Sequence, residues 1–158
     1  NLSVGAVPWV NPSNATTSDN ARATVLLTNS PGLNASDYLA ATDFQFNIPT
    51  GATITGVKVE YEVSAVFANE IQDISIKLIL AGALAGNEDR NSGFWPTSDA
   101  YWTLGGSASL WGLSLTAADI NSSAFGVGIA CSIFGGLPLG ATSEGRIDHI
   151  RITVYFIC

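Results

Sequence analysis

At 158 residues, 47% of them apolar and only 12% charged, the chain has the length and composition of one folded domain and is neither a disordered tail nor a linker. Thirteen acidic against six basic residues leave a net charge of −7, which offers no cationic footprint to a phosphate backbone, so nucleic acid is not an expected partner. Two cysteines, Cys131 and Cys158, are too few for a disulfide framework and lack metal-ligand spacing, so they read as small buried hydrophobes.

In chain order, short strands are predicted near Ala6 to Val10, Ala21 to Thr28 and Tyr38 to Ile48, separated by Asn-Pro, Ser-Pro-Gly and Ile-Pro-Thr-Gly turn formers. From Val57 the residues Val57, Val59, Tyr61, Val63, Ala65 and Phe67 alternate with Lys58, Glu60, Glu62 and Ser64, the pattern of a strand with one wet face. Ile74, Ile76, Leu78 and Leu80 predict a second strand beside it, across a turn from Ala68 to Asp73. Ala81 to Ser98 reads as the longest loop, followed by a short strand at Tyr101 to Leu104. Thr116 caps a single helical turn with Asp119 at the third position. Phe125, Val127, Ile129, Cys131 and Ile133 form one face of a strand whose other face, Gly126, Gly128 and Ala130, is nearly bare. That strip is the candidate interface, open to close approach by a neighbour. The final strand turns Ile150, Ile152, Val154, Phe156 and Cys158 inward and His149, Arg151, Thr153 and Tyr155 outward. A hairpin around Gly135 to Gly145 would pair Cys131 near position 149, leaving Cys158 about 30 Å away and the two thiols unjoined.

About eight strands with frequent turn signals, no repeat and no linker predict a single all-β domain over residues 1–158, a two-sheet antiparallel β-sandwich of jelly-roll type. The uncharged stretch from Ile120 to Ser143 is long enough to span a bilayer, but its glycines, Asn121, Pro138 and alternation argue against a membrane span. No basic segment followed by an apolar run opens the chain as a signal peptide would.

Reaction chemistry is sparse. His149 is the one histidine and faces outward, Glu60 and Glu62 read as solvated strand charges beside Lys58, and the aspartates are scattered with no calcium loop. No nucleophile elbow, phosphate loop or Cys-x-x-Cys occurs, so no catalytic residue, cofactor or metal is expected. Three of four tryptophans, Trp95, Trp102 and Trp111, fall close together, either as core fillers or as a ligand face for a sugar.

The segments Trp9-Val-Asn-Pro-Ser-Asn-Ala, Ser18-Asp-Asn, Pro49-Thr-Gly-Ala-Thr-Ile-Thr-Gly-Val, Leu115-Thr-Ala-Ala-Asp-Ile-Asn-Ser-Ser-Ala-Phe-Gly-Val and Ile147-Asp-His-Ile-Arg-Ile-Thr-Val-Tyr resemble β-rich modules of bacteriophage virion proteins. The resemblance covers most of the chain. It implies a virion structural component: a capsid decoration or cement protein, a fibre or a tail adhesin. Its expected partners are other virion proteins, above all the major capsid protein, on the outer capsid surface. It also implies a homo-oligomer, a trimer ahead of a dimer. The competing expectation is a carbohydrate-binding or host-receptor-binding adhesin that uses the Trp95 to Trp111 region.

Overall fold

Alternating apolar residues build the strands and decide which face each one buries. Among residues 5–158, which the computed structural model describes, eight strands occur. They are β1 (Ala23–Thr28), β2 (Leu39–Thr42), β3 (Thr53–Ala65), β4 (Ile71–Leu80), β5 (Ala83–Asp89), β6 (Ala100–Gly105), β7 (Gly126–Ile133) and β8 (Thr142–Ile157). Sheet 1 has the order β1-β8-β3-β6 and sheet 2 the order β2-β7-β4-β5, with every pairing antiparallel. Apart from the β4–β5 hairpin, each connection crosses from one sheet to the other. That winding is a jelly-roll β-sandwich, the fold the sequence predicts.

Val57, Val59, Tyr61 and Val63 on β3 face Ile76 and Leu78 on β4 and Val127, Ile129 and Cys131 on β7, all fully buried between the sheets. Each large side chain removed from water there contributes about 1.5–3 kcal/mol, offset by the entropy of ordering it. The alternation of β3 holds as far as Ala65, and Phe67 lies beyond the strand, exposed. A register shift at Glu62/Val63 lets β8 bury Ile147 and Asp148 in succession, which resets the phase of its last stretch. Beyond it Ile150 is buried, Ile152 and Val154 are half-buried, and Phe156 and Cys158 are exposed rather than inward.

Four sequence expectations are corrected. β4 does not pair with β3: its neighbours are β7 and β5, because the turn after Ala65 carries the chain to the opposite sheet. The long loop holds β5, joined to β4 by a tight turn with Ala81 and Gly82 both at positive φ. β7 and β8 form no hairpin, since their connection crosses between sheets. Finally, the strip at Gly126, Gly128 and Ala130 is not open to a neighbour. All three residues are buried, and the chain covers them itself: a Cβ at Gly128 would lie 2.9 Å from Leu84 and 3.1 Å from Tyr38, and one at Gly126 would meet the Ala41 carbonyl of β2.

The helical turn is α1 (Ala117–Asn121), capped as the sequence predicts. The Asp119 amide donates to the Thr116 hydroxyl at 3.2 Å, and the Asp119 carboxylate accepts from the Thr116 amide at 2.9 Å.

Cys131 and Cys158 are both free, the first buried and the second exposed. Burial also pushes the Cys131 thiol well above its ordinary range. A native sample treated with a thiol reagent at neutral pH is therefore expected to label Cys158 promptly and Cys131 only on unfolding. Two prompt labels would show that the β7 core opens readily.

Candidate functional site

A strap formed by residues 7–16 closes one side of the sandwich. It bridges β1 at Val10 and Thr24, the chain ahead of β2 at Val7 and Ser36, and β8 at Thr16 and His149. Asn11 at positive φ leads into a single 3-10 turn, Pro12–Ala15, with a proline suited to its first position. Two depressions flank this strap and share Pro12, Leu39, Ala40 and Thr42.

The first depression is a trough of about 650 Å³ between the strap and the outer face of sheet 2. Pro8, Trp9 and Pro12 form one wall, Tyr38, Ala40 and Thr42 the floor, and Ile79, Gly82, Ser123 and Ala124 the far side. Tyr38, Ile79 and Ala130 are buried yet lie outside the core cluster between the sheets, which places them under this outer face. Trp9 is half-buried, and its indole N–H donates to the Asp37 carbonyl at 2.9 Å, so the ring is held in one orientation. Tyr38 is fixed in turn by a hydroxyl contact to Ser75 at 2.5 Å, and Ser75 donates to Glu88 at 2.6 Å. Asp37, Thr42 and Ser123 are the polar residues of the lining.

The second depression, about 550 Å³, lies between the strap, β2 and the segment from Asp43 to Phe46, and β8 at His149 to Ile152. Its lining is mixed: Leu39, Phe44, Phe46 and Ile152 stand beside Thr16, Asp43, His149 and Arg151. Phe44 and Phe46 stack with centroids 6.1 Å apart.

The tryptophans named from sequence do not form a shared exposed face. Trp95 is 1% and Trp111 4% exposed. Trp95 donates to Asp73 at 2.8 Å and Trp111 to the Val57 carbonyl at 3.0 Å. Both rings fill the core and spend their N–H groups inside it, so neither is free to stack on a ligand. Trp102 is half-buried on β6 and meets Tyr61 edge to face at 6.2 Å. Trp9, the remaining tryptophan, is the one that lines a depression. Its neighbouring prolines mark a rigid exposed segment, which is the signal in the sequence that points to it.

The outer face of sheet 1 is an ion-pair network. Glu60 pairs with Lys58 at 2.9 Å and Arg151 at 3.1 Å, and Arg151 lies 4.1 Å over the Tyr101 ring. The Tyr101 hydroxyl and His149 Nδ1 are 2.7 Å apart. These contacts engage His149 and Glu60 in the sheet surface. Among the described residues no group of His, Cys, Asp or Glu gathers as metal ligands.

Arg22 reaches from the start of β1 to Asp99, which also accepts from Ser64 at 2.6 Å. The hydrogen bonds from Arg22 hold the Asp99 carboxyl below its ordinary 3.8. A depressed carboxyl adds stability above its unfolded pKa and loses it as pH falls through the folded value. Wild type is therefore expected to lose more stability than Asp99→Asn between about pH 4 and pH 2 in denaturant titrations. Parallel curves would show the pair contributes nothing.

No family model matches the chain, and no curated protein matches it. Two solved structures are similar. One, described as "CBM4 structure and function", is 14% identical over 87% of each chain, with a TM-score of 0.43. The other is the N-terminal cellulose-binding domain of β-1,4-glucanase C from Cellulomonas fimi, 16% identical over 90% of this chain and 76% of that one, with a TM-score of 0.33. Both likenesses are remote.

Proposed function

We propose that the chain is a non-catalytic binding module that holds a neutral glycan in the trough beside Trp9. The observation that carries this reading is the half-buried Trp9 ring, locked by its N–H to the Asp37 carbonyl, in an open trough whose lining includes Asp37, Thr42 and Ser123. A sugar ring offers an apolar C–H face to the indole and hydroxyls to Asp37, Thr42 and Ser123, and so uses both kinds of surface. Asp37 and the net charge of −7 disfavour anionic polysaccharides.

Affinity electrophoresis through gels containing neutral polysaccharides tests the reading. Wild type is expected to be retarded in at least one of them, with Trp9→Ala weakening retention tenfold or more, a loss of at least about 1.4 kcal/mol. Trp102→Ala serves as the control for a tryptophan away from the trough. Unretarded migration across a broad panel, or equal retention by Trp9→Ala, would overturn the proposal.

A second reading, a virion building block bound to other virion proteins, is favoured by one apolar end of the sandwich. Val66, Phe67, Phe134 and Leu139, the last 85% exposed, lie on the β3–β4 and β7–β8 connections at that end. Under this reading charged substitutions there release the chain from particles, whereas Trp9→Ala does not.

A further inference from the structure

The ligand reading leaves the free edge of β8 unused. β1 stops at Ala23, opposite Ile147, and the strap's last bridge reaches His149. From Ile150 to Ile157, β8 pairs with β3 on one side, and among the described residues nothing pairs with the other. Every second residue of such an edge turns its N–H and C=O outward, a template for another strand.

Edges are usually blunted by lysine, proline, bulges or brevity. The other edges here are shorter or broken: β2 has four residues, β1 and β6 have six each, and β5 carries Glu88 and Asp89 with a register shift against β4. The stretch Ile150-Arg-Ile-Thr-Val-Tyr-Phe-Ile157 has a single charge, Arg151, and that guanidinium is drawn onto Glu60 and the Tyr101 ring. Beside the edge lies the cleft of about 550 Å³, and further along it Phe156 and Ile157 are 38% and 62% exposed.

We propose that this edge pairs with the same edge of a second copy, antiparallel and two-fold symmetric about Thr153, joining two four-stranded sheets into one continuous sheet. The strip itself selects the occupant. It asks for a strand with apolar residues on one face and uncharged or aromatic residues on the other, which is its own pattern. It also contains no acidic residue in a chain of net charge −7, so two copies meet there without the repulsion they feel elsewhere. In this register Ile152 lies opposite Val154 of the partner subunit, which keeps the inner faces together. Arg151 lies opposite Tyr155 of the partner subunit, a second aromatic face for the guanidinium.

Sedimentation velocity and light scattering of the full chain across micromolar to millimolar concentration test the pairing. The expected mass at high concentration is twice the 16.4 kDa of one chain. Thr153→Lys places two ammonium groups together at the axis and is expected to weaken the dimer at least tenfold while leaving the far-ultraviolet circular dichroism spectrum unchanged. Should that variant misfold, Tyr155→Lys makes the same test. Hydrogen exchange is expected to show the outward-facing, alternate amides within 150–157 protected in wild type and fast in the variant, while those bonded to β3 stay protected in both. A monomer throughout, a trimer, or a dimer indifferent to both lysines would overturn the proposal. Trp9→Ala leaves the dimer intact, and Thr153→Lys leaves glycan retention intact, so the two proposals fail separately.

Discussion

Replacing Asp73 with alanine lowers the unfolding free energy by about 3–5 kcal/mol, the largest single-residue loss expected outside the apolar core. The carboxylate accepts from the Tyr61 hydroxyl at 2.5 Å, the Trp95 indole at 2.8 Å and the Asn91 amide at 3.0 Å. It thereby ties β3, β4 and the chain after β5 to one buried point. Alanine leaves those donors without an acceptor in a dry interior, and each orphan costs about 1–3 kcal/mol before the surroundings relax. Asp73→Asn keeps one oxygen but turns an amide N–H₂ toward a donor, so about half the loss is expected. Burial holds the Asp73 carboxyl above its ordinary 3.8 despite those donors. Its contribution is therefore complete at acid pH and declines as pH rises through the folded value, opposite in sign to that of Asp99. Urea titrations of the three proteins at pH 5 and pH 7 measure all of this. A loss under about 1 kcal/mol for alanine would show that water enters and replaces the carboxylate.

Gly126→Ala is expected to be almost as damaging, at about 3 kcal/mol. Its added Cβ would stand 1.9 Å from the Ala41 carbonyl oxygen and 2.8 Å from the carbonyl carbon, and backbone cannot swing aside as a side chain can. β2 must move off β7, and with it the floor of the trough, so glycan retention is expected to fall along with stability. Gly128→Ala is the informative contrast. Its Cβ meets a terminal methyl of Leu84 at 2.9 Å, which can rotate away, and the Tyr38 ring at 3.1 Å, which needs to yield by only a few tenths of an ångström, and about 1 kcal/mol is expected. Gly135→Ala, with nothing within 4 Å, should be silent. Equal melting temperatures for the Gly126 and Gly128 variants would mean that β2 is only loosely attached.

The contrast between those glycines also shows what the sequence can and cannot say. Alternation at Val57 to Ala65 and at Phe125 to Ile133 reports which face of a strand is apolar, and both strands stand where it puts them. Alternation does not report the partner strand. β4 follows β3 closely in the chain, yet the two lie in opposite sheets, and the same blindness produced the β7–β8 hairpin that does not form. A row of small residues likewise signals close approach without naming what approaches; here it is Tyr38, Leu84 and the backbone of β2. β5 was hidden because Ala-Leu-Ala-Gly-Asn-Glu-Asp carries no period, its place at the edge of sheet 2 being fixed by the turn at Ala81 and Gly82. Clustering in the sequence singles out Trp95, Trp102 and Trp111, whereas exposure depends on which indole N–H finds a partner in the core. Trp95 and Trp111 do, and Trp9, itself on the strap, finds one at the Asp37 carbonyl just ahead of β2 instead.

The strand order of sheet 1 has a further consequence for how the molecule is made. Its two middle positions are held by β8 and β3, and β1 touches no strand of that sheet except β8. Ala23 to Thr28 thus wait for partners at Thr142 to Ile147, more than a hundred residues later. On a ribosome, β1 can bond only to the strap at Val10, and one whole side of β3 stays open, until that segment has left the exit tunnel. The nascent chain meanwhile carries unpaired, strongly apolar strands, so folding follows synthesis of this segment rather than accompanying it. With such distant pairings it should proceed in milliseconds to seconds rather than microseconds. Stalled or shortened nascent chains that lack residues 142–157 are accordingly the species a holdase chaperone would meet.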